Sequence, residues 1–222
     1  MDSRIYQVEF IEDKHEYWYT EGNVRKRLRG VTGAIGKLMG KSFPDTDVVR
    51  LATMYGSDVH KEVENYYNNN GKLSTEAAKW VVSELSRKAD ELLIDVKDSV
   101  EDIKCEVLVS DFEGTASKVD VVMRTREGKV WLFDIKTTSH FDRAYCSLQL
   151  SVYKKLYEAC YGGTVCGLFV LGTKSRRTFR IIEQEASKVQ KILEMNKNDC
   201  ISNSRSNGSV NCAFDYMEGE LN

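Results

Sequence analysis

The chain has 222 residues, 41% hydrophobic and 30% charged, a globular balance that excludes wholesale disorder and suffices for one well-cored domain. Lys and Arg number 32 against 34 Asp and Glu, so the net charge of −2 excludes a histone-like basic protein while leaving room for a local basic groove. One proline, no apolar run near the roughly 20 residues of a membrane span, an acid-bearing N-terminus without an apolar core, and six cysteines without a CxxC pair exclude Pro-rich linkers, a membrane span and a signal or transit peptide, and imply reduced thiols in a cytosol.

The first thirty residues read as short strands. Ile5 to Phe10 alternates apolar and polar, Tyr17-Trp18-Tyr19 is β-prone, and Glu21-Gly22-Asn23 is turn chemistry. A short helix is predicted over 33–39, with Thr32 as N-cap. Pro44-Asp45-Thr46-Asp47 starts a longer helix, and Val48, Leu51, Ala52, Tyr55, Val59 and Val63 recur at helical spacing until Asn68-Asn69-Asn70-Gly71. Ser74 or Thr75 caps a second helix carrying Trp80, Leu85, Leu92 and Leu93.

The period then changes. Residues 104–110, 116–125 and 129–135 are β-like runs with Glu113-Gly114 and Glu127-Gly128 between them, a meander of three antiparallel strands. A helix follows over about 144–160. Thr164 to Leu171 is an apolar run that reads as a buried strand, with 178–182 as its partner. A last helix is predicted over 185–197, and the Ser-, Asn- and Gly-rich remainder as a loose tail. The order implies an α/β fold with a mixed sheet.

Chemistry concentrates between Gly114 and Tyr153. Asp134 and Lys136 are two apart on a strand and point to one face. Asp120, on the preceding strand, faces Asp134 if the connection centres on Glu127 with three loop residues, and Lys136 if it centres on Gly128. A two-residue turn would turn Asp120 away unless a bulge corrects it. Paired carboxylates repel, and a divalent cation removes that problem. With water and phosphate oxygens they suit Mg²⁺ or Mn²⁺, and a neighbouring ammonium can orient or deprotonate an attacking water. The same residues would also fit a surface salt-bridge patch.

The run Gly114-Thr115, Asp120, an apolar strand, Asp134-Ile135-Lys136-Thr137-Thr138 and Gln149-Leu150-x-x-Tyr153 resembles the PD-(D/E)XK nuclease superfamily, and within it the RecB-like exonuclease branch. Gly56-x-x-x-His60 resembles that branch's upstream helix motif, and Val31-Thr32 before a short helix resembles its phage and mitochondrial single-strand exonucleases. The resemblance implies a restriction-endonuclease-like mixed β-sheet core flanked by helices, with an N-terminal β-rich and helical extension. The domain would span 1–198, with its core at about 46–182, the elaboration over 1–45 and a flexible tail over 199–222. It further implies metal ligation by His60, Asp120, Asp134 and the Ile135 carbonyl, a catalytic Lys136, positioning by Gln149 and Tyr153, and site positions for Glu106 and Tyr145. Mg²⁺ or Mn²⁺ would serve as cofactor. The branch's iron–sulfur cluster is not expected, because no cysteine precedes Cys105 and only Cys200 and Cys212 lie near the C-terminus.

Two basic stretches lack acids. One contains Arg25, Lys26, Arg27, Arg29, Lys37 and Lys41, the other Lys174, Arg176, Arg177 and Arg180. Aromatics lie near both (Trp18, Tyr19, Phe43, Phe179), so either can track a phosphate backbone or serve as a solvated face. The expectation is a DNA exonuclease acting on single strands or duplex ends in replication, recombination or repair. A structure-specific or restriction-like endonuclease and a non-catalytic nucleic-acid-binding module are the alternatives. A homo-oligomer and a replication or recombination partner protein stay open, and a small nuclease without a fused helicase points to a phage-encoded protein in the host cytoplasm.

Overall fold

The structure is a computed structural model and describes residues 1–41, 46–94 and 98–207. Pro44, Asp45 and Phe43, Cys212 and the expected tail beyond 207 lie outside the described residues.

Two sheets organise the chain. The smaller has the order β1 (Val8–Ile11), β2 (Glu16–Glu21), β3 (Val24–Leu28), all antiparallel. The larger has five strands in the order β4 (Val100–Ser110), β5 (Ala116–Thr125), β6 (Lys129–Lys136), β7 (Thr164–Gly172), β8 (Arg177–Ile181). The first three form the expected antiparallel meander. Helix α4 (Arg143–Tyr161) carries the chain from β6 to β7, which pair in parallel. A parallel strand needs such a crossover, and the uninterrupted apolar run of β7 suits its burial on both faces.

Helices cover the large sheet on both sides, giving the mixed α/β architecture expected of a restriction-endonuclease-like core. On one side Val152 and Leu156 of α4, Ile35 of α1 (Val31–Leu38) and Ile192 of α5 (Ala186–Asn207) pack on Val122, Leu132 and Val170. On the other, Val59 and Val63 of α2 (Asp47–Asn69) and Ala78, Val81 and Leu85 of α3 (Glu76–Leu93) pack on Val121, Phe133 and Leu171. A third cluster (Tyr17, Tyr19, Leu28, Phe112, Cys160) joins the small sheet to the large one. Asn196, buried on α5, donates to the Arg29 and Gly30 carbonyls and to Thr115 Oγ1, so it ties the small sheet to the β4–β5 hairpin.

Several sequence expectations are corrected here. Residues Ser3–Gln7 form a 3-10 helix, capped by the Asp2 side chain, and the first strand starts only at Val8. Helix α1 starts at Val31 with Gly30 as its N-cap and no side-chain bond, so Thr32 is not the cap. Thr75 does cap α3, its hydroxyl accepting from the Ala78 amide. Strand β4 begins at Val100, four residues earlier than expected. Helix α5 continues to Asn207 rather than stopping at Lys197, because Cys200 still packs on the chain at Arg27 and Gly114.

Candidate metal centre and cleft

The β5–β6 turn sets the site's register. Gly128 lies at φ +81°, its amide bonds the Thr125 carbonyl, and the loop holds three residues, 126–128. A left-handed third position is what a three-residue hairpin loop requires, and glycine adopts it without cost. The pairs Val122↔Leu132 and Val121↔Phe133 follow, so the next step of the register sets Asp120 against Asp134. This is the odd-length connection that a shared face demands. The backbone ladder stops there, and the Asp120 carboxylate instead accepts the Ile135 amide at 2.7 Å.

Strands β4 and β5 both change sides at this level. Ile103 and Cys105 pack with the α2–α3 cluster, whereas Val107 and Val109 pack with the α4 cluster. Met123 and Val121 belong to the first and Val119 to the second. Alternate residues of a regular strand share a face, so the chain twists between them, and the break falls at Glu106 and Asp120. Glu106 has φ +53°. A left-handed glutamate costs about 1 kcal/mol or more, and here it carries the carboxylate to the seam between two cores. Cys105↔Val121 and Val107↔Val119 flank the pair, so Glu106, Asp120 and Asp134 form one cross-strand row.

Helix α2 adds the imidazole. At Gly56, one turn before His60, a Cβ would stand 3.0 Å from Thr137 Oγ1. The missing side chain lets α2 lie close to the end of β6, and His60 Nε2 donates to the Ile135 carbonyl at 3.1 Å. His60 Nδ1 then lies 3.7 Å from both Glu106 Oε1 and Asp120 Oδ2. One ligand atom from each of His60, Glu106 and Asp120 falls within 4.8 Å of the others. One nitrogen and two carboxylate oxygens are donors that a small divalent cation accepts, and a ligating imidazole commonly donates its other N–H to a carbonyl. The Ile135 carbonyl, expected to complete a metal shell, is the acceptor that orients His60.

Asp134 lies beside this group. It is 1% exposed, Lys136 Nζ stands 2.9 Å from each of its oxygens, and Oδ2 has no hydrogen-bond partner. Electrostatics tie the set together. Burial opposes a charge on His60, but the Asp120 and Glu106 carboxylates outweigh it and raise its pKa to about 9. Burial, with Asp134 adding repulsion, raises Asp120 to about 6 although His60 pulls it down. Glu106 is lowered, its burial overcome by His60 and Lys118. Lys136 is raised despite burial by Asp134 and Asp120, so its ammonium holds its proton.

On α4, Tyr153 is buried and its hydroxyl accepts from Gln149 Nε2 (2.9 Å) and Ser117 Oγ (3.2 Å). Tyr153 and Asp120 both line the cleft, Gln149 is buried, and Tyr145 donates to the Thr32 carbonyl.

All three of His60, Glu106 and Asp120 open into a cleft of about 1180 Å³, together with Lys136. Of the basic residues singled out from sequence for a phosphate backbone, Arg29 and Lys37 line it. Arg25 pairs with Glu9 and lies over Trp18, Lys26 lies over Tyr19, and Arg27 pairs with Glu16. Lys174 lies over Tyr55, Arg176 donates to the Glu76 carbonyl, and these two and Arg177 are outside the cleft lining. Lys118 and Lys61 line the cleft and went unnoticed in the sequence, because each stands alone rather than in a basic run.

No protein-family model and no curated protein matches the chain. Among solved structures the chain is similar to a protein assigned as an exonuclease from Eubacterium rectale, with 13% identity over 88% of this chain and 91% of that one and a TM-score of 0.36. It is also similar to the protein SSO0001, with 16% identity over 84% and 95% and a TM-score of 0.28. Neither likeness is close enough to carry an activity to this chain. Among the described residues, no helix is long and apolar enough to cross a membrane.

Proposed function

We propose that the chain is a divalent-metal-dependent deoxyribonuclease of the PD-(D/E)XK superfamily, RecB-like branch, acting as an exonuclease on single-stranded DNA or DNA ends. The observation that carries this reading is the convergence of His60, Glu106 and Asp120 within ligating distance of one another, beside the Asp134–Lys136 pair, in one open cleft. The donor set of one imidazole nitrogen and two carboxylate oxygens fits a divalent ion on its chemistry, and the buried Asp134 carboxylate beside it is already paired with Lys136.

His60, Glu106 and Asp120 would hold Mg²⁺ or Mn²⁺, with Asp134 joining from the next strand. A bound ion supplies Lewis acidity and offsets the carboxylate charge where phosphate must approach. Lys136, held as an ammonium, donates hydrogen bonds to orient the attacking water and offsets charge that develops on the phosphate oxygens. Lys118, 3.6 Å from Glu106, supplies a second cation at the cleft wall. Ser117, Tyr153 and Gln149 fix β5 against α4 under the site. End-labelled single strands incubated with Mg²⁺ or Mn²⁺ should be degraded by the wild type and left intact by Asp120→Ala and Lys136→Ala. Full activity in both variants contradicts the reading.

A further inference from the structure

The wall of the cleft facing the carboxylates comes from the small sheet, and the metal reading assigns it nothing. Phe10 of β1, Tyr17 of β2 and His15 of the turn between them line the cleft. Their ring centroids are 4.8 Å (Phe10–Tyr17), 5.2 Å (Phe10–His15) and 6.3 Å (His15–Tyr17) apart. Tyr17 is buried at the base, Phe10 is half-buried and His15 is exposed. His15 has φ +51°, a conformation in which glycine or asparagine is the ordinary choice. An imidazole there is an exposed aromatic ring, held by its neighbours at the mouth of a charged cleft.

Lys118 joins this wall to the carboxylates. Its Nζ stands 4.3 Å from the Phe10 ring centroid and 3.6 Å from Glu106 Oε2. The rings therefore lie within one nucleotide's reach of the proposed metal, with an ammonium between them where a phosphate would bridge. Arg29, Lys37 and Lys61 add positive charge along the same cleft, against Glu12, Asp58, Glu64 and Asp199, the last paired with Lys37 at 2.7 Å.

We infer that His15 and Phe10, backed by Tyr17, form a stacking subsite for an unpaired base of single-stranded DNA one step from the metal centre. The inference rests on the nuclease reading and adds to it a substrate form. A base paired in a duplex has its faces covered by its neighbours, whereas an unpaired base offers a face to an aromatic ring. The wall then selects single strands without reading sequence.

The test is fluorescence anisotropy of the full-length chain, in EDTA, on labelled oligothymidylate and on an abasic tetrahydrofuran strand of equal length. The wild type should bind oligothymidylate about five- to a hundredfold more tightly, the range that one stacked base supplies. His15→Gly should lose most of that preference, bind the abasic strand as the wild type does, and melt no lower, because glycine accepts the left-handed backbone. Phe10→Ala should lose the preference as well. Equal wild-type affinity for the two strands, or an unchanged preference in both variants, overturns the subsite. Tighter binding of oligouridylate than of oligothymidylate assigns it to RNA and overturns the choice of DNA. Failure of the wild type to cut DNA with Mg²⁺ or Mn²⁺ bears on the nuclease reading alone, since the anisotropy is read without metal.

Discussion

The Asp120 carboxylate accepts the Ile135 amide at 2.7 Å, one register step beyond the last backbone pair of β5 and β6. One oxygen therefore closes the sheet while the group also faces His60. Asp120→Asn keeps an oxygen for the Ile135 amide and removes a carboxylate whose charge burial disfavours. It should lose metal binding in calorimetry while melting no lower than the wild type in EDTA at pH 8. Asp120→Ala leaves the amide without its acceptor and should lose about 1–3 kcal/mol of stability in denaturant titration.

Stability without metal should fall as pH rises. His60 is raised from 6.5 to about 9, so its contribution is complete below pH 6.5 and lost as pH climbs through 9. Asp120 is also raised, from 3.8 to about 6, and its contribution is lost between those values. The facing groups are Glu106, Asp134 and Lys136. Melting in EDTA should show the 6.5–9 decline in the wild type, and His60→Gln should lack it. Mg²⁺ should raise the melting temperature more at pH 9 than at pH 6.5, because binding must displace the imidazolium proton.

Gly56→Ala places a methyl 3.0 Å from Thr137 Oγ1, so α2 or the strand end must give by a few tenths of an ångström. That movement carries His60 away from the Ile135 carbonyl. Metal affinity measured by calorimetry should drop by about tenfold, the lower end for lost orientation of a ligand, and Thr137→Ala should restore it. Unchanged affinity in the single variant would show that the close approach is not what places the imidazole.

Tyr153→Phe removes the hydroxyl that accepts from Gln149 and Ser117 and touches none of the proposed ligands. Leaving the buried Gln149 amide without its partner should cost about 1–3 kcal/mol, a melting shift of roughly 2–12 °C for a chain of this size. Metal affinity should stay within twofold. A large loss of metal binding with unchanged melting would instead put Tyr153 in the metal shell.

Much of this geometry was legible in the sequence where it depends on local spacing. Glycine at 128 and three loop residues fix the β5–β6 register and set Asp120 against Asp134. Gly56 and His60, one helical turn apart, share a face of α2, and the close packing at Thr137 explains why a glycine belongs there. Glu106 was harder to place, because its position depends on a left-handed backbone inside a β-strand that alternation does not foresee. The basic run at 25–29 divides between two places that sequence alone does not separate. Arg25 and Arg27 share a face of β3 and pair with Glu9 and Glu16, whereas Arg29, just past the end of the strand, lines the cleft. His15 carried no motif, and only its backbone conformation and its place at the cleft mouth mark it.

The central claim is that His60, Glu106 and Asp120 hold a divalent ion that makes the cleft a phosphodiester-cleaving site. Calorimetric titration of Mn²⁺ into the wild type and into Glu106→Gln, paired with Mn²⁺-dependent digestion of end-labelled single-stranded DNA, tests it most directly. The account predicts one site per chain in the wild type, at least tenfold weaker binding in Glu106→Gln, and cleavage that falls in parallel. Undiminished Mn²⁺ binding and cleavage in that variant, or Mn²⁺ binding by the wild type with no cleavage of any DNA strand, would contradict it.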